Sequence, residues 1–498
     1  MPSEIKPLSL RRDKIYTDMK KQLIGRDKEI ASLEAYVSSG QAEFIAIYGR
    51  RRVGKTYLVN QLFRDRLAFS LTGIIDGKPS EQMEAFVQTL EFGGYKLEKH
   101  PQNWLCAFAE LRKFLQPKVD SGDPCILFID EISCFDSQRS DFVRALGFFW
   151  NSWASLQDNL KLIICGSATS WMITNIIDSK GGLHNRVTHE MALHQFTLYE
   201  TEQYLLNRGF EWSRLAILQA YMCFGGVPYY LSLLQPSESV AENLDRLFFD
   251  RNAELHKEYN RLYKTLFRSP EPYMKIVKLL AESKQGLTRQ EISEKLNVSG
   301  KALTEQLANL QSCDLVRLYY VKETKVKKNG GIYQLMDFYS HFYLKFAHSS
   351  LGDSQYWLHH LNTPETNNWY GQNFERVCLA HIDQIKQILH FDRISTQFYS
   401  WRSKKSGEMN ERGAQIDIII DRADDMINVC EVKYSKSPYE LKKAEYEKIQ
   451  NRIEKFRTET KTRKGVIPTM ITTMGVLQNK YANDICSYIT LDELFSTR

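Results

Sequence analysis

A chain of 498 residues exceeds what one hydrophobic core organises, and its length predicts roughly three domains. Hydrophobic residues at 43% and charged residues at 25% exclude general disorder, and no apolar run approaches the roughly 20 residues of a membrane-spanning helix. The net charge of +6 permits a nucleic-acid partner without demanding one.

The first 20 residues are charged and lack the apolar centre of a secretory signal, so they are expected to form an N-terminal tail. Nine scattered cysteines without a CxxC pair read as thiols in a reducing compartment, which predicts a cytoplasmic protein. Residues 21–194 alternate short apolar strands with helical stretches. The expected strands are Phe44–Tyr48, Cys125–Ile129, Leu162–Cys165 and Val187–Leu193. The first three are continuous apolar runs, as parallel strands covered on both faces require. This pattern predicts an α/β doubly wound core. Residues 195–269 turn helical around Gly225-Gly226-Val227-Pro228 and are expected to form a helical lid on that core.

Residues 270–347 run helix (Tyr273–Glu282), helix (Thr288–Leu296), turn, helix (Lys301–Leu310), strand (Leu315–Val321), basic turn, strand (Ile332–Met336). That is the order of a winged helix. Lys301, Thr304, Gln306 and Asn309 would face a groove, and Lys322–Lys328 would form a basic wing. A packing or protein-contact role is the rival reading. A second basic cluster, Arg402, Lys404, Lys405 and Arg412, reads from charge alone as a solvated loop. Residues 348–369 are expected to connect to a last unit, 370–498, that starts with a helix, passes through β-rich segments and ends beyond a charged helix at Tyr439–Glu459.

Gly49-Arg50-Arg51-Arg52-Val53-Gly54-Lys55-Thr56 fits G-x-x-x-x-G-K-[ST] between a strand and a helix that continues with Tyr57. The glycines let backbone N–H groups wrap phosphates, Lys55 reaches the β/γ-oxygens and Thr56 ligates Mg²⁺. The helix start adds its positive end to the same anion site. A second strand ends in Asp130-Glu131, which places Asp130 to hold the metal and Glu131 to polarise the attacking water. The strand ending at Cys165 leads into Gly166-Ser167, and Ser167 would point at the γ-phosphate. Arg186 stands before the fourth strand, either as a transition-state cation or as a surface arginine. These features predict ATP and Mg²⁺ as ligands.

Taken with Ile24-Gly25-Arg26-Asp27-Lys28-Glu29 and Gly226-Val227-Pro228, these motifs resemble the prokaryotic DEXX-box ATPases of the AAA+/STAND-like P-loop group. The resemblance extends over essentially the whole chain. It implies that Gly25, Arg26 and Pro228 lie near the nucleotide, and that a winged helix and a nuclease-like C-terminal domain follow. The arginine that many STAND proteins carry after the sensor strand is not evident in this sequence.

In the last unit, the strand Gln415–Ile420, a turn at Asp421–Asp425 and the returning segment Ile427–Tyr434 put Glu431 and Lys433 on one face, with Asp417 across the hairpin. Two carboxylates and a lysine so placed would hold Mg²⁺, through Asp417 and Glu431, and position water for phosphodiester hydrolysis. The arrangement resembles the D…ExK core of PD-(D/E)XK nucleases, with Glu375 as the accessory acid on the preceding helix. The rival reading is a solvent-facing salt-bridge trio. The expected protein is therefore an ATPase that couples nucleotide state to DNA engagement and strand cleavage. The alternatives are a nucleotide switch acting on a protein partner through a silent nuclease-like domain, and an assembly ATPase forming a homo-oligomer.

Overall fold

The computed structural model describes residues 23–137, 140–322, 331–348, 352–403 and 414–496. The expected N-terminal tail, wing residues Lys325, Lys327 and Lys328, and Lys404, Lys405 and Arg412 lie outside these residues. The chain divides into two compact units, the first comprising Met1–Gln195 with Leu262–Pro270, the second Phe196–Arg261 with Glu271–Arg498.

The first unit is built on five parallel strands: β1 (Glu43–Tyr48), β2 (Leu67–Thr72), β3 (Cys125–Asp130), β4 (Leu160–Gly166) and β5 (His189–Ala192), in the spatial order β2-β3-β4-β1-β5. The continuous apolar runs have a simple cause. Phe44, Ala46, Leu127, Ile129, Leu162 and Ile164 point to a face covered by aromatic helices carrying Trp104, Phe108 and Phe149. Their neighbours Ile45, Ile47, Ile126, Phe128, Ile163 and Cys165 point to the other, covered by Leu33, Leu58, Val59 and Phe63. With both faces buried, period two leaves no polar position. The strand β2 lies at the sheet edge and four of its six residues are exposed or part-exposed, so it lacks that signature.

The helical stretch 195–269, expected as one lid on the core, divides: Leu262–Pro270 belongs to the first unit and Phe196–Arg261 to the second. Aromatic packing holds the larger part there. Tyr221 packs on Phe338, Tyr230 on Tyr339, and Phe248 on Phe342 at 4.8 Å between ring centres. Within this stretch the helix Arg214–Phe224 stops at Gly225, whose φ is +66°, and a new helix starts with Pro228 at its first position. Gly226 accepts the Phe196 N–H at 2.6 Å, and a Cβ at this glycine would lie 1.9 Å from the Phe196 carbonyl oxygen.

The second unit carries an eight-stranded sheet of β6 (Leu287–Thr288), β7 (Val316–Lys322), β8 (Gly331–Leu335), β9 (Thr396–Arg402), β10 (Gln415–Arg422), β11 (Met426–Lys433), β12 (Gly465–Thr472) and β13 (Ser487–Thr490). Its order is β13-β12-β11-β10-β9-β7-β8-β6. The helices Glu271–Ala281, Arg289–Leu296 and Gly300–Ser312 precede β7 and, with β6, β7 and β8, form the helix–hairpin module. One feature was not readable from local pattern: β7 runs parallel to β9, with Val321 opposite Ser400, and fuses this module to the C-terminal sheet. The helix Pro364–Ala380 runs across the boundary expected at residue 370.

His381 ties that helix to the segment after β5. Its Nε2 accepts the Leu198 N–H at 2.9 Å while Nδ1–H donates to the Val377 carbonyl at 2.8 Å, so the neutral ring satisfies both groups. Burial pushes its pKa down to about 4. An unfolded imidazole titrates near 6.5, so the unfolded chain binds the extra proton between these values. The stability this group contributes is complete above about pH 6.5 and is lost as pH falls toward 4. Between pH 7 and pH 5 the parent protein is expected to lose about 2 kcal/mol more than His381→Gln. Urea denaturation at the two pH values measures this, and equal losses in both proteins would remove His381 as the source.

Candidate functional site

The loop Gly49–Gly54 connects β1 to the helix Lys55–Phe63. Three of its residues take positive φ: Gly49 (+145°), Arg52 (+76°) and Gly54 (+93°). That geometry turns successive N–H groups inward and opens the helix at Lys55. Lys55 is buried, and its ammonium donates to the Gly49 carbonyl (2.8 Å), the Arg50 carbonyl (3.1 Å) and Ser167 Oγ (3.0 Å). Ser167, just past β4, donates its hydroxyl to Glu131 Oε1 at 2.8 Å, and its N–H to Glu131 Oε2 at 3.3 Å. Lys55, Ser167 and Glu131 therefore form one hydrogen-bonded chain across three strand ends.

A second chain lies beside it. Thr56 Oγ1 donates to Asp130 Oδ2 at 2.6 Å, and Asp130 Oδ1 accepts the Glu131 N–H at 2.9 Å. Glu131 sits at φ +47°, so the backbone turns sharply after β3 and swings its carboxylate toward Ser167. Burial, with the neighbouring Glu131 charge, pushes the Asp130 carboxyl above its usual range against the opposing Thr56 hydrogen bond. One hydroxyl and two adjacent carboxylates, with no sulfur or imidazole, make a donor set that fits Mg²⁺.

The remaining candidates divide. Gly25 and Arg26 have φ of +70° and +65°, and the buried Arg26 guanidinium donates to the Val53 carbonyl at 3.3 Å and to the His194 carbonyl. Arg26 thus braces the loop from behind. Arg50 is buried, Arg51 donates to Thr265 Oγ1, and Val53 is buried under the loop. Tyr57 is half exposed beside Thr56. Arg186 is exposed on the turn before β5. Pro228 belongs to the second unit, where it opens the helix Pro228–Ser232.

In the second unit Ile418 pairs with Cys430, which sets Asp417 and Glu431 next to each other across the β10–β11 ladder. Their side chains are engaged separately. Glu431 binds Arg452 at 2.7 Å and Lys433 at 3.0 Å, Lys433 also binds Glu445 at 2.8 Å, and Asp417 accepts from the Gln415 amide. Among the described residues no group of three His, Cys, Asp or Glu side chains is placed to hold a metal ion. Glu431 thus has a counter-ion in Arg452, which the helix Lys443–Thr460 supplies. Burial, then repulsion from Asp417, pushes Glu375 up to about 7. Glu445 and Arg452 were missed at the sequence level: they lie on a helix whose charges are spread all round, so spacing does not reveal which ones face β11.

The side chains expected to reach a DNA groove are partly committed elsewhere. Asn309 donates to Tyr273 Oη at 2.8 Å and Thr304 Oγ1 accepts from Arg289 at 3.2 Å, while Lys301 is exposed beside Glu305. Among the described residues no helix is long and apolar enough to cross a membrane.

Comparison with known proteins bears on the first site. Residues 338–449 match a family model described as archaea bacterial proteins of unknown function. An uncharacterized protein of Methanocaldococcus jannaschii is 24% identical over 400 residues, covering 80% of this chain and 83% of that protein. A Walker-type ATPase of Pyrococcus abyssi overlays 65% of this chain and 96% of its own at 18% identity and a TM-score of 0.47. The ORC2 protein of Aeropyrum pernix overlays 68% and 93% at 14% identity and a TM-score of 0.39. Residues 23–234 match the family model described as an ATPase domain predominantly from Archaea, and this is the segment that carries the loop, lysine and paired carboxylates described above.

Proposed function

We propose that this chain is an Mg²⁺-dependent ATP hydrolase whose nucleotide state governs how its C-terminal half engages DNA. The observation that carries the first part is the chain Lys55–Ser167–Glu131 lying beside Thr56–Asp130. The loop N–H groups and Lys55 would bind the β- and γ-phosphates, replacing the loop carbonyls that now hold the ammonium. Thr56 and Asp130 would hold Mg²⁺, which when bound neutralises phosphate charge. Glu131 would accept the proton of the attacking water, and Ser167, bonded to both Lys55 and Glu131, would link occupancy of the γ-position to the orientation of that carboxylate. Arg186, exposed before β5, is available to a neighbouring copy as a transition-state cation.

Engagement of DNA is supported by the helix–helix–helix–hairpin order of a winged helix and by Asp417, Glu431 and Lys433 on adjacent strands, as in PD-(D/E)XK nucleases. The Arg452–Glu431 ion pair favours a second reading, a nucleotide switch whose nuclease-like domain is silent at rest and which acts through a protein partner. Releasing that pair separates the two. With Mg²⁺ and DNA, Arg452→Ala is expected to raise strand cleavage about tenfold over the parent, and Asp417→Ala is expected to abolish it. No cleavage by any variant, with DNA still bound, would favour the silent domain. No DNA affinity at low salt, with or without nucleotide, would remove DNA from the account.

A further inference from the structure

A cavity of about 210 Å³ lies within the second unit where β7, β10 and the helix Pro364–Ala380 meet, lined in part by Lys284, Arg317, Glu375, Arg376, Asp417 and Arg452. Its walls come from both modules that the β7–β9 pairing joins, Arg317 from the hairpin and Asp417 from the C-terminal sheet.

Two guanidiniums dominate it. Arg376 is 5% exposed and donates Nη1 to the Leu335 carbonyl. Arg317 donates Nη2 to Gln334 Oε1, lies over the Tyr319 ring at 5.1 Å, and has a buried Nε without a hydrogen-bond partner. Among the described residues neither forms an ion pair. Buried cations are ordinarily paired, because desolvating a charge costs several kcal/mol unless an anion offsets it. Burial lowers both: Arg317 to about 9, with Arg376 pushing the same way against Tyr319, and Arg376 to about 10 against Glu375 and Tyr319. Lys284 adds a third cation at an exposed position of the same lining. Arg452 is already held by Glu431 and is not counted.

We propose that this cavity binds a phosphate dianion, gripped by Arg317 and Arg376 and approached past Lys284. Planar guanidinium forks present paired N–H donors that match tetrahedral phosphate oxygens, and two such forks serve a dianion better than a single carboxylate. The volume takes a phosphate group but falls below the roughly 300–1,000 Å³ of sites that enclose a whole drug-sized ligand. Two sources share this chemistry, inorganic phosphate and the terminal phosphomonoester of a nucleic-acid strand. None of the loop residues Gly49–Thr56 takes part, so the site stands or falls independently of ATP turnover.

The test uses the full chain carrying Lys55→Ala, which keeps the first site from contributing, and calorimetric titration with inorganic phosphate, 5′-phosphorylated dithymidine dinucleotide and its 5′-hydroxyl form. One phosphate-dependent site is expected, weakened at least about tenfold by Arg317→Gln and about threefold by Lys284→Gln, with Arg317→Lys recovering part of the loss. Binding of the phosphorylated but not the hydroxyl dinucleotide would assign a strand end, and binding of inorganic phosphate alone would assign the free ion. Absence of phosphate binding in the parent would overturn the proposal. So would affinity unchanged in Lys284→Gln and Arg317→Gln, the first being an exposed position where folding is not at stake.

Discussion

Glu131→Gln is expected to lower ATP turnover by about 10²–10⁴-fold while leaving ATP affinity within about threefold. The geometry separates the two effects. Glu131 accepts from Ser167 Oγ through Oε1 at 2.8 Å and from the Ser167 N–H through Oε2 at 3.3 Å; a glutamine carbonyl keeps the shorter bond and gives up only the longer one. The glutamine amide cannot take a proton from water, so only the chemical step suffers. In the proposed mechanism phosphate binding rests on the loop N–H groups and on Lys55, whose bonds to the Gly49 and Arg50 carbonyls the substitution leaves alone. Steady-state phosphate release and equilibrium binding of ATP measure the two quantities separately. Equal losses in both would make Glu131 a structural residue.

Gly49→Ala is expected to destabilise the first unit by about 2–4 kcal/mol and to abolish nucleotide binding. At φ +145° an L side chain is strained, and the added Cβ would lie 2.2 Å from the Leu193 carbonyl oxygen. The clash is with backbone that cannot yield cheaply, because the Leu193 N–H is itself bonded to the Tyr48 carbonyl at 2.7 Å. Relief must move the loop, and with it the Gly49 and Arg50 carbonyls that position Lys55. Gly54 supplies an internal comparison. Its φ is +93° but a Cβ there meets nothing within 4 Å, so Gly54→Ala bears conformational strain without the clash. Chemical denaturation midpoints and binding of an ATP analogue check both variants, and a Gly49→Ala protein as stable as Gly54→Ala would contradict the packing argument.

The parts of the first site that were legible in the sequence are those that short spacing encodes. Gly49, Gly54, Lys55 and Thr56 are fixed by the loop pattern, and Asp130-Glu131 by the end of a continuous apolar strand. Long-range relations were not. The edge strand β2 has neither the continuous apolar run of β3 nor a clean alternation, since only Phe69 and Leu71 are buried. The bond between Ser167 and Glu131 spans 36 residues and depends on β3 and β4 being neighbours, a fact of sheet order. Arg26 was expected near the nucleotide through a motif, yet its bracing of Val53 and His194 required the fold. In the second unit the D…ExK spacing puts Asp417, Glu431 and Lys433 on neighbouring strands but says nothing of their partners. Period two locates Glu431 on a face, whereas Arg452 reaches it from a helix 21 positions away. The β7–β9 pairing that brings Arg317 near Asp417 has no local signal at all.

The most direct test of the central claim is Mg²⁺-dependent release of phosphate from ATP by the purified chain, compared with Glu131→Gln in the same preparation. The account predicts turnover that requires Mg²⁺, stops with a chelator, and falls by at least about 10² in the variant while the variant still retains ATP. ATP hydrolysis undiminished in Glu131→Gln, or no Mg²⁺-dependent binding of ATP by either protein, would contradict it.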